Sequence, residues 1–379
     1  MKTKSAQITA REMKRFLRRS CALALALLLS AGCASEPARA GAASSPATMA
    51  PPPPGVTLMS CAVPGALLYE PKSPGETEAV VSLVRDDLEI RPVIEQAQEE
   101  ALHAVQAYRS AALSRKAPEG GPGVARATLE EMDRLHKAVE EKAARYRGLV
   151  QTQRDRYEHF LKKYPDNWFQ RHRYAWFLAD NHLEDDSAAE WRRVIEQAPA
   201  FPYAYNNLGT LYNHMGRDLE AILLYRKAIE LYPDDADFHV NLAVNYSTHR
   251  AEASKEFGWD LPRVFRECIL SYERARALKP KDPEIACDLA SQYVLAKFFG
   301  VQNAADEAIE AWKYDLALEL TPTQRGIADR NLATIYLRQK NDPAAAQKLL
   351  EEAQTLMPND SACKALLEQC RAAETKPAP

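Results

Sequence analysis

The sequence predicts an all-α fold: a solenoid of antiparallel helix pairs, preceded by a helical hairpin and a disordered tether. Two observations carry this prediction. A Leu followed by a small residue, with Tyr three positions later, recurs as Leu208-Gly209 with Tyr212, Leu242-Ala243 with Tyr246, Leu289-Ala290 with Tyr293, and Leu332-Ala333 with Tyr336. Pro165, Pro199, Pro233, Pro280, Pro322 and Pro358 close successive segments, each roughly 34 residues long or that length plus an insertion. Between these marks the apolar residues recur at helical spacing.

The stretch Pro202–Asp235 shows why such a segment forms two helices. Tyr205, Leu208, Leu211 and Tyr212 share one helical stripe, and Ala221, Leu224, Tyr225 and Ala228 share a second. Gly209 and Ala221 lack bulk, so the two helices can approach closely. His214-Met215-Gly216-Arg217-Asp218 makes the turn, with Gly216 free to take a positive φ and Asp218 placed to cap. Pro233 cannot continue the second helix. A helix pair of this size cannot bury both faces alone, so it needs neighbours on either side. With Tyr205 in the usual Trp position, Leu208-Gly209 and Tyr212 on the first helix, Ala221, Tyr225 and Ala228 on the second, and Pro233 at the end, the stretch resembles a tetratricopeptide repeat. The resemblance implies a right-handed superhelix whose first helices line a concave groove for an extended peptide or a partner's helix.

Residues 1–32 read as an export signal. Lys14, Arg15, Arg18 and Arg19 precede the apolar run Cys21–Ser30, which is too short to span a bilayer. Met13 is an alternative start, and the Arg18-Arg19 pair is not followed by the pattern of a twin-arginine signal. Leu29-Ser30-Ala31-Gly32-Cys33 resembles the lipobox of bacterial lipoproteins, although Ser30 departs from the preferred Leu. The resemblance implies lipidation of Cys33, and Ala34 after it implies the outer membrane, facing the periplasm. The alternative is cleavage at Ala38-Arg39-Ala40, which discards Cys33. Residues 33–75 are a Pro/Ala/Ser-rich linker with Pro51–Pro54 at its centre. Cys61 has no apolar run before it and is not a second lipobox.

Residues 76–167 are expected to hold a helical hairpin and a degenerate N-terminal capping repeat. The first helix covers 76–116 with a break or kink near Pro92, carried by Ile94, Ala97, Ala101, Val105, Tyr108 and Ala112. Ala117–Gly123 is a loop. The second helix follows from Ala125 on the stripe Leu129, Met132, Leu135, Val139, Ala143, Tyr146 and Val150. Local packing and a coiled-coil arm both fit this pattern. The degenerate repeat is counted from Arg134, with Tyr157 as its second-helix aromatic and Pro165 as its end.

Residues 168–360 hold about five repeats. Trp168–Phe201 carries Ala175 and Trp191, and Pro202–Asp235 is described above. Ala236–Asp282 carries Cys268, Tyr272 and Ala275, with an insertion around His249–Asp260. Pro283–Thr321 carries Tyr314 and Ala317, with an insertion around Ala296–Asp306. Gly326–Asp360 carries Ala346, Leu350 and Ala353. Residues 361–379 are a C-terminal capping helix, Ser361–Ala373, and a tail.

The groove slots expected to meet a protein or peptide partner are Arg173, Trp176, Asn206, Asn207, Asn213, Asn241 and Asn331. An Asn amide can bond both donors and acceptors of an extended backbone, and aromatic side chains add apolar anchors. Local bonding within a repeat is the other use of each Asn, and packing between repeats the other use of Trp176. Some tetratricopeptide domains clamp a chaperone's C-terminal carboxylate with Lys and Arg. The matching slots here carry His172, Trp176, Asn207, Asp237 and Asn241, of which Asn207 alone fits, so no such clamp is expected. The two insertions are further candidates for partner contact; the other reading, which is favoured, is that Phe257 and Trp259 in one and Phe298 and Phe299 in the other lie side by side and cover the seam between repeats.

The net charge of −3 argues against nucleic acid as a partner. No phosphate loop, Cys-x-x-Cys pair, zinc-type His pair or nucleophile elbow appears, so no catalytic, cofactor or metal site is expected. Glu184-Asp185-Asp186 reads as a turn and cap. The cysteines show no disulfide spacing and read as buried thiols. Together these features predict a lipid-anchored scaffold for envelope-complex assembly. The alternatives are an enzyme, or its recruiting subunit, in envelope or polysaccharide metabolism, and a cytosolic adaptor with an unused signal.

Overall fold

The structure, a computed structural model, describes residues 71–113 and 122–374. The export signal, Cys33, Cys61, most of the linker, most of the Ala117–Gly123 loop and the end of the tail lie outside the described residues. Those that are described form fourteen α-helices, one 3₁₀ turn and no strand. No helix among them is long and apolar enough to cross a membrane. The chain divides into two compact units, 1–204 and 205–379.

In the first unit, α1 (Pro74–Leu113) and α2 (Pro122–Lys163) form the hairpin. Cross-links run Lys72 to Asp166, Asp87 to Gln153, and Glu100 to Lys142 and Arg145. Residue numbers rise on one helix as they fall on the other, so the helices are antiparallel. Val80, Leu83, Ile94, Ala97 and Ala101 meet Tyr146, Val150, Tyr157 and Phe160 in one core. Of the break or kink expected near Pro92, a break does not occur, since Pro92 lies inside α1. Its side chain is exposed, so the carbonyl that loses its i→i−4 partner can be met by water. The register counted from Arg134 falls inside α2, which runs unbroken to Lys163.

Two shorter helices, α3 (Trp168–Asp180) and α4 (Glu184–Gln197), follow as a pair. Asn167 caps α3 by accepting from the Gln170 amide, and its Nδ2 donates to Glu76 Oε1 at 2.9 Å, tying the cap to the start of α1. Glu184, Asp185 and Asp186 occupy the first turn of α4, where the helix dipole favours them. Ser187 Oγ donates to the Ala175 carbonyl at 2.7 Å, and Trp191 is buried beside it in sequence register.

The hairpin docks on α3 through a buried charge cluster. Asp87 of α1 is 1% exposed. It accepts from Arg173 Nη2 of α3 at 2.7 Å, Arg91 Nη2 at 3.2 Å and Gln153 Nε2 of α2 at 3.2 Å. Tyr157 stacks on Tyr174 next to it, centroids 5.1 Å apart. Three helices thus converge on one carboxylate.

In the second unit, helix pairs follow one on another: α5 (Pro202–His214) with α6 (Asp218–Leu231), and α7 (Ala236–Thr248) with α9 (Leu261–Leu278). Then come α10 (Pro283–Leu295) with α11 (Ala305–Leu316), and α12 (Pro322–Arg338) with α13 (Pro343–Leu356), and α14 (Ser361–Glu374) covers the end. The first insertion is itself helical, α8 (Arg250–Phe257), closed by Gly258 at φ 62°. The second is the 3₁₀ turn Ala296–Phe299, closed by Gly300 at φ 72°, and a short coil after it. Prolines 283, 322 and 343 stand at helix starts, where the missing N–H costs nothing. Pro322 therefore opens α12 rather than closing the preceding unit, and Thr321 caps it in a capping box with Gln324.

The second helices share one buried pattern, small, large, small, at spacings of four and then three. Ala221, Tyr225 and Ala228 fill it on α6, Cys268, Tyr272 and Ala275 on α9, and Ala346, Leu350 and Ala353 on α13. On α11 the buried set is Ala308, Trp312 and Asp315. Tyr314 and Ala317, expected in these slots, are half-buried and exposed, because the second insertion shifts the register by two residues.

Asp87→Asn should leave Arg173 buried without an anion and cost about 3–5 kcal/mol. Denaturant unfolding of the full chain measures this. The same measurement on Lys313→Ala, which breaks an exposed i,i+3 pair, should show no change.

Candidate functional site

Polar residues of the first helices in the second unit bond to one another. Asn241 Nδ2 of α7 donates to Asn206 Oδ1 of α5 at 2.9 Å, and Asn206 Nδ2 to Asn207 Oδ1 at 3.3 Å. Asn245 Nδ2 donates to the Asn241 carbonyl at 3.0 Å, and Thr210 Oγ1 to the Asn206 carbonyl at 3.1 Å. The Tyr225 hydroxyl, on the second helix, donates to Thr210 Oγ1 at 3.1 Å. One pair further on, Ser247 Oγ of α7 donates to Gln292 Oε1 of α10 at 2.6 Å. The result is a hydrogen-bonded ladder crossing from one first helix to the next.

Three of the expected groove residues, Asn206, Asn207 and Asn241, are thus brought together. Asn206 and Asn241 are buried within the ladder, and Asn207 is at its edge, 9% exposed. Its Oδ1 accepts, and its amide N–H groups remain for another acceptor. Asn213 and Asn331 are half-buried, and no side-chain hydrogen bond occupies them among the described residues. Arg173 and Trp176 belong to the first unit and are engaged there: Arg173 holds Asp87, and Trp176 Nε1 donates to Asp180 Oδ1 at 3.1 Å. His172 is buried, accepts at Nδ1 from Trp191 Nε1 at 3.2 Å, and is pushed down by burial to about 3, so it is neutral. Asp237 is paired with Lys279 at 2.8 Å.

The aromatic residues of the insertions do not stack on one another as expected. Phe257 and Trp259 pack together at 4.6 Å and against Tyr246 of α7. Phe299 is buried on Phe265 of α9 at 5.3 Å, and Phe298 is exposed. Arg250 reaches from the first insertion over the Phe299 ring at 5.6 Å. Gly258 and Gly300, both at positive φ, reverse the chain at the end of each short helix, and the second insertion packs on α9 of the preceding pair through Phe299.

Beside Trp259 a cleft of about 430 Å³ opens between α6 and α9. Leu242 and Tyr246 of α7 form its floor, and Arg226, Glu230, Arg263 and Glu267 stand on its walls. Sequence reasoning missed these four charged residues, because single charges on an exposed helix face carry no periodic signal.

Two buried carboxyls mark the second unit's interior. Asp315 of α11 and Asp329 of α12 are each 2% exposed, and each has one carboxyl oxygen without a hydrogen-bond partner. Burial pushes Asp315 up to about 6, helped by Asp288, and Asp329 up to about 6, helped by Glu352. Asp315 also sits near the C-terminal end of α11, where the helix dipole opposes a negative charge. Burial likewise pushes the Cys268 thiol up and Cys287 to about 11, so neither is a reactive thiolate at neutral pH. No group of three His, Cys, Asp or Glu that could hold a metal occurs among the described residues.

Residues 202–235, the helices α5 and α6, match the family model of the tetratricopeptide repeat. Proteins built from this repeat are generally non-catalytic scaffolds for protein–protein interaction. The chain is 27% identical over 162 residues to human protein O-mannosyl-transferase TMTC1, covering 37% of this chain and 18% of that protein. It therefore spans less than a fifth of that relative. Among solved structures it is similar to YrrB, a tetratricopeptide protein described as having an unusual peptide-binding site, at 16% identity and a TM-score of 0.44, covering 56% of this chain and 97% of that one. MamA aligns at 18% identity and a TM-score of 0.38, covering 48% and 92%. PilF of Pseudomonas aeruginosa aligns at 22% identity and a TM-score of 0.35, covering 46% and 68%.

The Asp315 carboxyl stays protonated in the folded chain between pH 4 and pH 6, where the unfolded chain has already released its proton. Stability therefore falls as pH rises through that window. Asp315→Asn removes this penalty: it should stabilise the chain by about 2–3 kcal/mol at pH 7.5 and by nothing at pH 4. Denaturant unfolding at the two pH values measures the difference.

Proposed function

We propose that the chain is a scaffold lipoprotein. Its lipidated Cys33 anchors it in the outer membrane of a bacterial envelope, and its helix pairs hold a partner polypeptide during assembly of an envelope complex. The observation that carries the scaffold is the ladder Asn206–Asn207–Asn241, set on the first helices of consecutive pairs and beginning in the segment that matches the repeat family. Amides bonded to each other hold their orientation without a ligand, which lowers the entropy lost on binding. Asn207 offers N–H donors to a backbone carbonyl, and Asn213, two turns along α5, offers both donor and acceptor.

The anchor rests on the sequence alone. Basic residues, a short apolar run and small residues lead directly to Cys33, and Ala34 follows it. Two or three acyl chains would hold the protein stably, as one chain would not. The Pro/Ala/Ser-rich linker would hold the helices clear of the bilayer surface.

Two measurements test the proposal. In a Gram-negative host, the full chain should incorporate an alkyne-palmitate label and sediment with outer membranes, and Cys33→Ser should do neither. An unlabelled wild-type chain would remove the anchor. A photo-crosslinking amino acid in place of Asn213 should trap a protein partner in cells, and the same group in place of Lys348 on the exposed face of α13 should not. Equal trapping at both positions would remove the groove.

A further inference from the structure

The cleft beside Trp259 lies between the second helices α6 and α9, away from the Asn ladder on the first helices, and its chemistry differs. Trp259 is held rigidly. Phe257 packs on it at 4.6 Å, and the Arg263 guanidinium lies over its ring at 4.6 Å. Arg226, from the opposite wall, lies over Phe257 at 4.8 Å and Trp259 at 5.9 Å. A guanidinium resting over an aromatic ring still has N–H donors free to meet a carboxylate.

Those donors are not consumed by the protein. Arg226 forms no ion pair among the described residues, and Arg263 reaches only Glu267, at 4.0 Å. By contrast, the neighbouring Lys227 and Arg274 each hold a carboxylate at 2.7 Å. Of the two lining carboxylates, Glu230 is taken by Lys227 and Glu267 stands by Arg263. The lining therefore balances two arginines against two glutamates, and Arg226 is the one of these cations with no carboxylate beside it among the described residues.

Apolar shoulders flank the charges. Leu223 is 45% exposed and Leu270 57% exposed, although both belong to well-packed helices. They occupy the same position of consecutive second helices, two residues before Tyr225 and Tyr272. Leu223 shares a helical stripe with Arg226 and Glu230, and Leu270 shares one with Arg263 and Glu267. Leu223 thus lies about one turn from the Arg226 guanidinium and Leu270 about two turns from that of Arg263.

We propose that this cleft is a second docking site, separate from the groove, and that its occupant is an acidic peptide segment of a partner protein. An Asp or Glu side chain of the segment lies between Arg226 and Arg263, and an aliphatic side chain within one turn of it covers Leu223 or Leu270. Phosphate or a small carboxylate would satisfy the guanidinium groups but would leave the leucines bare. The occupant is therefore a polypeptide carrying both groups.

A random-peptide display library panned against the full chain tests the proposal. The wild-type chain should enrich peptides with Asp or Glu within four positions of Leu, Ile or Val. Fluorescence anisotropy then measures a labelled peptide from that enriched set against its Glu→Gln counterpart. The acidic peptide should bind about tenfold tighter or more, and the advantage should shrink as salt rises. Arg226→Glu, on an exposed position that leaves the fold intact, should weaken binding at least as much, and Leu270→Ser should weaken it without changing its salt dependence. Asn207→Ala, at the ladder, should leave it unchanged. Enrichment of neutral or basic peptides, binding insensitive to Arg226→Glu, or binding lost in Asn207→Ala but retained in Arg226→Glu would each overturn the assignment. Because crosslinking at Asn213 reads the groove independently, failure of this site and failure of the groove give different results.

Discussion

A two-helix module leaves one face uncovered, and the organisation of the second unit follows from that constraint. Each pair hides its own interface by fitting a large side chain of the second helix against a small residue of the first. At Gly209 the fit is tight: a Cβ there would lie 3.0 Å from the Tyr225 ring and 3.3 Å from the Ala221 carbonyl oxygen. The helices are close because Gly209 and Ala221 give up volume and Tyr225 fills it. The uncovered face of each pair is met by the next, and the last is met by α14, which buries Cys363, Leu366, Leu367 and Cys370 on α13. A chain of such modules needs an end of this kind, because a bare terminal face would expose a continuous apolar patch.

The first unit solves the same problem by other means. Its pair α3–α4 is met by a long hairpin that does not follow the repeat pattern. The hydrophobic part of that contact, Tyr157 on Tyr174 and Phe177, is conventional. The polar part is not, since Asp87, Gln153 and most of Arg173 are drawn out of water together, with Arg91 at the edge. Such a cluster adds little net stability over an apolar contact of equal size, because desolvation offsets the Coulomb attraction. It does fix geometry: a hairpin shifted by one turn would strand Arg173 without Asp87. Apolar surface tolerates sliding, and a buried ion pair does not.

The helices and their pairing were legible because period and punctuation agreed. Leu-small pairs marked the first helices, prolines marked the boundaries, and the stripes gave the buried faces. Where the reading departed from the structure, one local signal stood for two meanings. Pro322 can end one helix or begin the next, and only the Thr321–Gln324 capping box decides for the start. Tyr314 looks like the large residue of its helix, yet Trp312 is the one that is buried, since an insertion of unknown length hides the register. Pro92 signals a break or kink, but α1 runs on through it, because packing on both sides outweighs the lost hydrogen bond and the clash of the ring with the preceding turn. Of the candidate groove, the sequence showed which positions carry amides. It could not show that Asn206 and Asn241 bond to each other or that Arg173 is spent on Asp87, because those partners lie 35 and 86 residues away.

The same distinction separates the two surfaces of the second unit. Within the ladder, Asn206, Asn207 and Asn241 bond to one another, so each has little left to give. A ligand there gains from the few groups at the edge, such as the Asn207 amide, and from the fact that nothing must reorganise. Recognition of that kind suits a peptide backbone, whose carbonyl and N–H groups are the same in every sequence, and it discriminates weakly among side chains. The Trp259 cleft has the opposite economy. Its aromatic residues lie under two guanidinium groups, of which Arg226 has no carboxylate among the described residues and Arg263 only Glu267 at 4.0 Å, so a site there would tell a carboxylate from an amide. The insertion that lengthens this repeat supplies both Phe257 and Trp259, and without α8 Arg226 would be an ordinary solvated charge on an outer helix. A surface that grips backbone and a surface that reads charge, built on the first and the second helices of the same two consecutive pairs, would together select a partner more sharply than either could alone.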